Sequence, residues 1–305
     1  MPSPHVSENF GDLLDPLFQD IFHEEYNEPP DMLPVLYHFE PQNGRADMKW
    51  TQMGEMEDFT QFAGSVDYTS MNQGYDTTST YVEFARGAQV ERKLFDDDQY
   101  NIMNARPRGL ARAAFRTRQK HGASFFNNIA SVDSTFYVNT EGVAAASNSH
   151  TTTSGASTST GFDNLGTTSL SAVALQTAYL QMRGYRGDRA EIITVMPDEL
   201  LVPVDLQEVA YEITASSGKV DTDLNNPNIH MGRYKVIEWE YLTDTNNWFL
   251  MDSRLRRESL HWVDRIPIEF AMIEDLDTLV AKWRGYQRYT RAHIDWRFLY
   301  GSVVS

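Results

Sequence analysis

The chain has no cysteine among its 305 residues, which excludes disulfides, thiolate metal sites and cysteine nucleophiles and leaves packing and association to hold the fold. It has no apolar run approaching the roughly 18 to 20 residues of a membrane span. Met1 to Tyr26 also lacks the basic and apolar regions of a signal peptide. No membrane partner is expected, and folding in a cytoplasm is. Residues 1–44 contain neither Lys nor Arg, while Glu8, Asp12, Asp15, Asp20, Glu24, Glu25, Glu28, Asp31 and Glu40 are acidic. The formal net charge of −17 argues against a general nucleic-acid binder. With 41% hydrophobic and 23% charged residues the chain is globular rather than disordered, and 12% aromatic content favours a strand-rich core.

The positive charge missing from the front gathers in one later stretch. Arg86, Arg92, Lys93, Arg106, Arg108, Arg112, Arg116, Arg118 and Lys120 crowd together there. Arg108, Arg112, Arg116 and Lys120 recur every four residues, so on a helix they form one slowly drifting stripe. Like charges in a row repel, and such a stripe needs an acidic neighbour, a phosphate backbone or water on that face. An acidic arm and a basic helix are natural partners, within one chain or between two.

Phe10, Leu14, Leu17, Phe18 and Ile21 are spaced like one face of a short helix, closed by Pro29 and Pro30. Ordering an arm of about 35 residues costs several tens of kcal/mol of backbone entropy. Offsetting that needs well over about 1,000 Å² of apolar burial, more easily found on neighbouring copies than on the arm's own domain. These five residues are therefore candidate inter-subunit contacts. Further on, Val66-Asp67-Tyr68-Thr69-Ser70 and Thr80-Tyr81-Val82-Glu83-Phe84 alternate around a turn at Met71 to Asp76. The pattern predicts a long hairpin that leans on something else, with Tyr68, Tyr81 and Phe84 as further contact candidates.

Asp96, Asp97 and Asp98 predict a helix start, and Pro107 and Gly109 split the next stretch into a short helix and a longer one from Pro107. Leu110, Ala113, Ala114, Phe115, Phe125, Phe126 and Ile129 supply its buried face. Residues 147–161 are rich in Ser and Thr and predict a surface loop. Helices are expected from Ser169 to Arg183, stopped by Gly184, and after Pro203 with Leu206, Val209, Ala210 and Ile213 inward. Strands are expected at Ile192–Met196, Tyr234–Tyr241, Trp248–Asp252, Ile268–Ile273 and in two runs between Ala281 and Tyr300. Without regular βαβ alternation the fold class is α+β.

No catalytic motif survives inspection. Ser217-Gly218-Lys219-Val220 resembles a phosphate loop, but Ile213 stands in place of its first glycine and Val220 in place of its hydroxyl residue. His23-Glu24-Glu25-Tyr26-Asn27 begins like a zinc-protease helix and lacks the second histidine. The eight histidines are scattered without ligand spacing. No enzyme activity, cofactor or metal is expected.

Three local signals then carry a resemblance: Lys93-Leu94-Phe95-Asp96-Asp97-Asp98-Gln99-Tyr100, Pro197-Asp198-Glu199-Leu200-Leu201, and the ending from Tyr289 to Ser302. In this order the chain resembles the major capsid proteins of tailed bacteriophages with the Hong Kong 97 fold. The resemblance implies an N-terminal arm and lead-in at 1–46, an E-loop hairpin at 47–92, and a peripheral domain with spine helix and surface loop at 93–164. It implies an axial domain at 165–265 and returning peripheral strands at 266–305. The implied function is a head protein that self-assembles into hexamers and pentamers of an icosahedral shell around double-stranded DNA, in a virion assembled in the host bacterial cytoplasm. Portal, scaffold and cementing proteins are implied partners, and DNA is touched weakly and without sequence preference.

Some relatives join subunits through an E-loop lysine. This chain has none between Trp50 and Arg92, so no such cross-link is expected. The stripe Arg108, Arg112, Arg116 and Lys120 then either pairs with arm acids or faces DNA phosphate, and the net charge favours the acids. The rival readings are an encapsulin-like nanocompartment shell, a strand-rich phage or extracellular binding protein, and an enzyme.

Overall fold

The computed structural model describes residues 8–54, 56, 58–62, 64–66, 68–91, 105–218, 227–275 and 280–304, with the backbone alone for 8–17 and 274–275. In chain order the elements are helix α1 (Glu8–Asn27), the one-turn helix α2 (Leu33–Leu36) and strand β1 (His38–Phe39). Strands β2 (Asp47–Met53), β3 (Gln73–Thr80) and β4 (Val82–Glu91) precede the long helix α3 (Ala105–Asn127). Then come β5 (Tyr137–Asn139), β6 (Leu165–Gly166), α4 (Ala172–Arg183), β7 (Glu199–Val202), α5 (Gln207–Ala215) and β8 (Lys235–Glu238). The last are β9 (Trp248–Met251), α6 (Ser253–Ser259), β10 (Leu260–Asp275), β11 (Val280–His293) and β12 (Leu299–Ser302). Contacts divide the chain into a first unit of residues up to Leu33, Tyr81–His121 and Asp264–Thr290, and a second unit of Pro34–Thr80, Gly122–Val263 and Arg291 onward. Helices and strands are mixed without βαβ repetition, the expected α+β class.

In the first unit β10, β11 and β4 lie side by side, and α1 and α3 supply side chains to the core beside them. Phe18, Phe22, Leu110, Ala111, Val90, Phe270 and Trp283 are buried together there. Helix α3 begins two residues before Pro107, where the longer of the two expected helices starts, and the shorter one ahead of it falls on residues outside those described. Pro107 lies in its first turn, where a backbone N–H has no intrahelical acceptor, so the ring removes nothing. Asp96, Asp97 and Asp98 lie outside the described residues.

The expected hairpin is corrected. Val66 and Ser70 are in no strand, and Thr80–Phe84 does not return on them. Instead β4 forms an antiparallel ladder with β11 that runs from Val82↔Tyr289 to Glu91↔Val280. Strand β3 pairs with β2 from Asp47↔Thr80 to Met53↔Gln73, with a bulge between Thr51 and Met53. A ladder ten residues long satisfies far more backbone than the five-residue pairing read from alternation alone.

In the second unit a five-stranded sheet runs β6-β12-β9-β7-β8. Every residue of β7, β9 and β12 is buried, so these strands read as continuous runs without alternation. Helix α4 starts three residues later than expected, where the Ser171 hydroxyl accepts from the Ala174 N–H, and stops at Gly184. Its Leu175, Ala178 and Met182 share one core with Leu200, Trp248 and Trp296. Ile192–Met196 is not a strand: Ile192 makes only an isolated bridge with Arg186, and further on the Val195 carbonyl accepts from Arg183 and the Met196 N–H donates to Asp252, so side chains take the place of a continued ladder. Helix α6, unforeseen from the sequence, is capped by the Asp252 carboxylate, which accepts from the N–H groups of Arg254 and Leu255.

The Ser/Thr-rich loop at 147–161 is a surface segment held at several points: the Ser147 N–H donates to Asn164 and the Gly161 carbonyl accepts from the Arg186 N–H. The Asp188 carboxylate accepts from the Thr153 and Ser154 N–H groups and from the Thr153 hydroxyl. His150 is buried, stacked on Trp296 with ring centroids 4.1 Å apart, and bonded to Glu141 at 3.0 Å. Ser157, Ser159 and Thr160 are exposed.

Candidate assembly surfaces

Helical spacing puts Phe18, Ile21, Phe22 and Tyr26 along one face of α1. Phe18 meets Trp283 edge-on at 6.0 Å between ring centroids, Phe22 lies 5.0 Å from Phe270, and Tyr26 meets Phe115 at 6.0 Å. Burying Phe18 and Phe22 contributes roughly 1.5–3 kcal/mol each. Burial also pushes the Tyr26 hydroxyl above its ordinary pKa, while neighbouring Arg118 pulls it back. Phe18 and Ile21, expected as contacts between copies, pack inside their own unit in the single chain. The side chains of Phe10, Leu14 and Leu17 lie outside those described.

The basic stripe divides in two. Arg112 Nε donates to Glu25 at 2.5 Å and Arg108 Nε lies 3.8 Å from the same carboxylate. Arg116 and Lys120 are exposed and have no ion pair among the described residues. Buried beside the stripe, Arg118 donates to Asp264 at 2.8 Å, and Gln119 donates to Asp31 at 2.6 Å. Glu25 stands in the acidic run read from the sequence, but nothing there singled it out: its role comes from lying one turn after Ile21 on the packed helix.

Tyr81 and Phe84 also turn inward in the first unit. Tyr81 is buried with the guanidinium of Arg288 over its ring at 5.7 Å, and Phe84 stacks on Tyr289 at 4.9 Å. Both stand where the chain leaves the expected hairpin for the β4–β11 ladder. Tyr68 stays in solvent, 90% exposed.

Tyr68 belongs to the segment between β2 and β3 in the second unit, whose described residues form no strand or helix. Phe59 is 100% exposed and Phe62 71%, with Met56 and Val66 exposed beside them. Large apolar side chains left this exposed so close together in sequence make the segment a candidate interaction surface. The root of the segment is rigid: Gly54 N–H donates to the Asn72 carbonyl at 2.8 Å, and Gln52 donates to the Ile294 carbonyl. Gly54 also approaches Asn72 too closely for a Cβ. Phe59 and Phe62 were missed because they fall outside the alternating runs. Two bulky aromatics without a period were the signal available.

Elsewhere in the second unit a cavity of about 530 Å³ is lined by Tyr75, Asp188, Arg254, Glu258, Asp295 and Arg297. Two of its carboxylates are engaged locally, Asp188 by the Thr153 and Ser154 N–H groups and Asp295 by Arg297 at 3.0 Å. No group of three or more His, Asp or Glu among the described residues is placed to hold a metal. A bidentate pair, Glu199 with Arg256 at 2.7 and 3.1 Å, is buried and also holds the Leu36 carbonyl. His293 is buried against Tyr137 and Phe125, and burial lowers its pKa to about 4.

Comparison with known proteins places this arrangement. The family described as phage capsid protein matches residues 75–302. No curated protein matches. The mature capsid of bacteriophage PhiM1 superposes with a TM-score of 0.59 at 8% identity, covering 91% of this chain and 88% of that one. The bacteriophage JBD30 capsid does so with 0.54 at 14% identity, covering 71% and 92%, and it also occurs decorated with minor capsid protein trimers. A virus-like particle from Pyrococcus furiosus reaches 0.52 at 9% identity, covering 95% and 99%. At such identities the superpositions show a shared fold, and that fold alone does not separate a phage shell from another kind of shell. The family match does separate them: this chain belongs to the phage capsid protein family and is a major capsid protein of a virion.

Proposed function

We propose that the chain assembles with copies of itself into hexamers and pentamers that close an icosahedral shell around double-stranded DNA, with the layout of the Hong Kong 97 fold. In that layout residues 1–46 are the arm and lead-in, 47–92 the E-loop, 93–164 the peripheral domain with α3 as its spine, 165–265 the axial domain and 266–305 the returning strands. The observation that carries the reading is the exposed cluster of Phe59, Phe62 and Tyr68 on the β2–β3 segment. A soluble chain gains by covering such a cluster, and in a shell the covering surface is another copy. The acids of this segment, Glu55, Glu57, Asp58 and Asp67, suit a basic partner surface, and Arg116 and Lys120 supply one on every copy.

The one lysine in 47–92 is Lys49, at the base of the segment in β2 and 3.9 Å from Asp47, and none lies between Trp50 and Arg92, so the shell is read as relying on buried area and on cementing partners rather than on an E-loop lysine bond. Portal and scaffold proteins complete the partner set. DNA contact is weak and non-specific for a chain of net charge −17, and no catalysis is assigned. Negative-stain microscopy of the purified protein tests the reading. Shells or regular capsomers are expected, and a Phe59→Ser, Phe62→Ser variant should stay dispersed at the same concentration. Dispersed wild-type protein across assembly conditions overturns it.

A further inference from the structure

We propose that the cleft between α3 and the sheet of β4, β11 and β10 is a binding site for a small uncharged aromatic molecule that carries one N–H or O–H donor. The inference concerns a single copy and does not rest on the shell reading. The cleft lies within the first unit and has a volume of about 280 Å³. An apolar cavity of about 150 Å³ takes up benzene, so this one has room for a fused ring. Small residues open it. Ala113 and Ala114 line it from α3 and Gly285 from β11, none with more than a methyl group to fill the space. Gly285 sits inside an antiparallel ladder, opposite Arg86 and between the pairs Arg284↔Gly87 and Tyr286↔Ala85. Glycine weakens a strand interior, and its usual reasons for standing there are a bulge, a left-handed backbone, or the close approach of another backbone or of a ligand. The ladder has no bulge at this point and the backbone is not left-handed. The atoms nearest to a Cβ added at Gly285 would be side-chain carbons of Leu110 and Ile268, at 3.6 Å or more, so no backbone crowds it either. That leaves a ligand.

The polar group in the cleft points the same way. Gln287 lines it and is 3% exposed, and its Oε1 accepts no hydrogen bond among the described residues. Buried acceptors are rarely left so, because the stranded group has given up water without a replacement. Its Nε2 donates to the Ala114 carbonyl at 3.3 Å, a long bond, and a terminal amide torsion is soft, so Oε1 can turn to meet a donor in the cleft. One free acceptor asks for one donor. The walls ask for a ring: Leu110 and Ile268 are aliphatic, and Phe84, stacked on Tyr289 at 4.9 Å, offers an aromatic surface for edge or offset contact. Glu83 and Arg86 stand at the same cleft with opposite charges, so it favours neither an anion nor a cation. Apolar walls with a single convergent polar group are the usual make-up of a small-ligand site.

Indole, a flat fused ring with one N–H, is the probe. Titrated into the full-length protein, it should bind in calorimetry at one equivalent per chain and raise the unfolding temperature by several degrees at saturation. Indene has the same shape without the N–H and should bind roughly tenfold more weakly, the worth of one hydrogen bond. Ala113→Leu fills the cleft and should abolish binding. Should that variant fail to fold, Gly285→Ala adds a methyl group that meets only ordinary contacts, and it should weaken indole severalfold. Gln287→Met keeps the side-chain length and removes the acceptor, so indole and indene should then bind alike. Absence of saturable indole binding overturns the proposal, and so does equal binding of indole and indene to the unaltered protein. Indole binding that Gly285→Ala leaves unchanged lies elsewhere and overturns it as well. None of these outcomes bears on whether copies assemble into shells.

Discussion

Residues 18–27 and residues 54–72 both combine aromatic side chains with acids and contain no Lys or Arg, yet Phe18 and Phe22 are buried while Phe59, Phe62 and Tyr68 stand in solvent. The difference lies in period and in partner. Phe18, Phe22 and Tyr26 recur every four residues, so a helix gathers them onto one face. The groove that receives that face carries Arg108 and Arg112 where Glu25 arrives. Phe59, Phe62 and Tyr68 have no shared period, and no regular element of their own chain can line them up. Aromatic residues among acids therefore do not by themselves mark an interface. The ones that cannot be arranged into a face are the ones left for another molecule.

The two segments should part most widely at Phe22. Phe22→Ala should lose about 3–5 kcal/mol of unfolding free energy, from lost transfer and a cavity between α3 and β10, read as a fall in the denaturant midpoint. Phe59→Ser should leave that midpoint unchanged to within about 0.5 kcal/mol and act on assembly alone. Equal destabilisation by the two would erase the distinction between a packed face and an unpacked cluster.

The root of the exposed segment can be loosened by acid. The Thr77 hydroxyl of β3 donates to the His293 carbonyl, and the His293 imidazole is buried with its pKa lowered to about 4. The folded state keeps the ring neutral where the unfolded chain, with a pKa near about 6.5, takes up a proton. Between those values the unfolded state binds more protons, so stability falls as pH drops. The loss is on the order of 3 kcal/mol, absent above about pH 7 and complete near about pH 4. Thermal unfolding from about pH 7.5 to about pH 4.5 should show the slope, and His293→Gln should flatten it.

The smallest expected effect is on the arm's charge. Arg112 is 63% exposed, so its pair with Glu25 is worth at most about 1 kcal/mol, less in salt. Glu25→Ala should shift the denaturant midpoint barely, and the shift should vanish in about 1 M salt. A large, salt-independent loss would mean that charge rather than the aromatic face holds the arm.

Much of the layout was legible in the chain because the relevant forces are local. The helix from Ala172 to Arg183, its stop at Gly184 and the inward faces of Ala210 and Ile213 come from capping and period. The α+β class came from the order of such elements. The hairpin misread had a different cause: alternation at Thr80–Phe84 fixes which face a strand shows, not which strand it pairs with, and the β11 partner lies about 200 residues away in sequence. Ile192–Met196 looks like a strand in composition, and only the distant side chains Arg183 and Asp252 explain why it is not. At the candidate site the basic stripe was visible, but its division between a paired half and an exposed half depends on where Glu25 lands in three dimensions.

The Ser/Thr-rich segment offers a practical opening. Thr153 and Ser154 are moored to Asp188, and past its far end Asn164 donates to the carbonyls of Ala145 and Leu299. Between these moorings Ser157 and Ser159 bond to each other and, among the described residues, to nothing else, so a foreign peptide spliced there would be carried by two fixed posts and ask nothing of the core. Chains bearing such a graft should fold in normal yield, so a foreign segment could ride on every copy without cost to its fold.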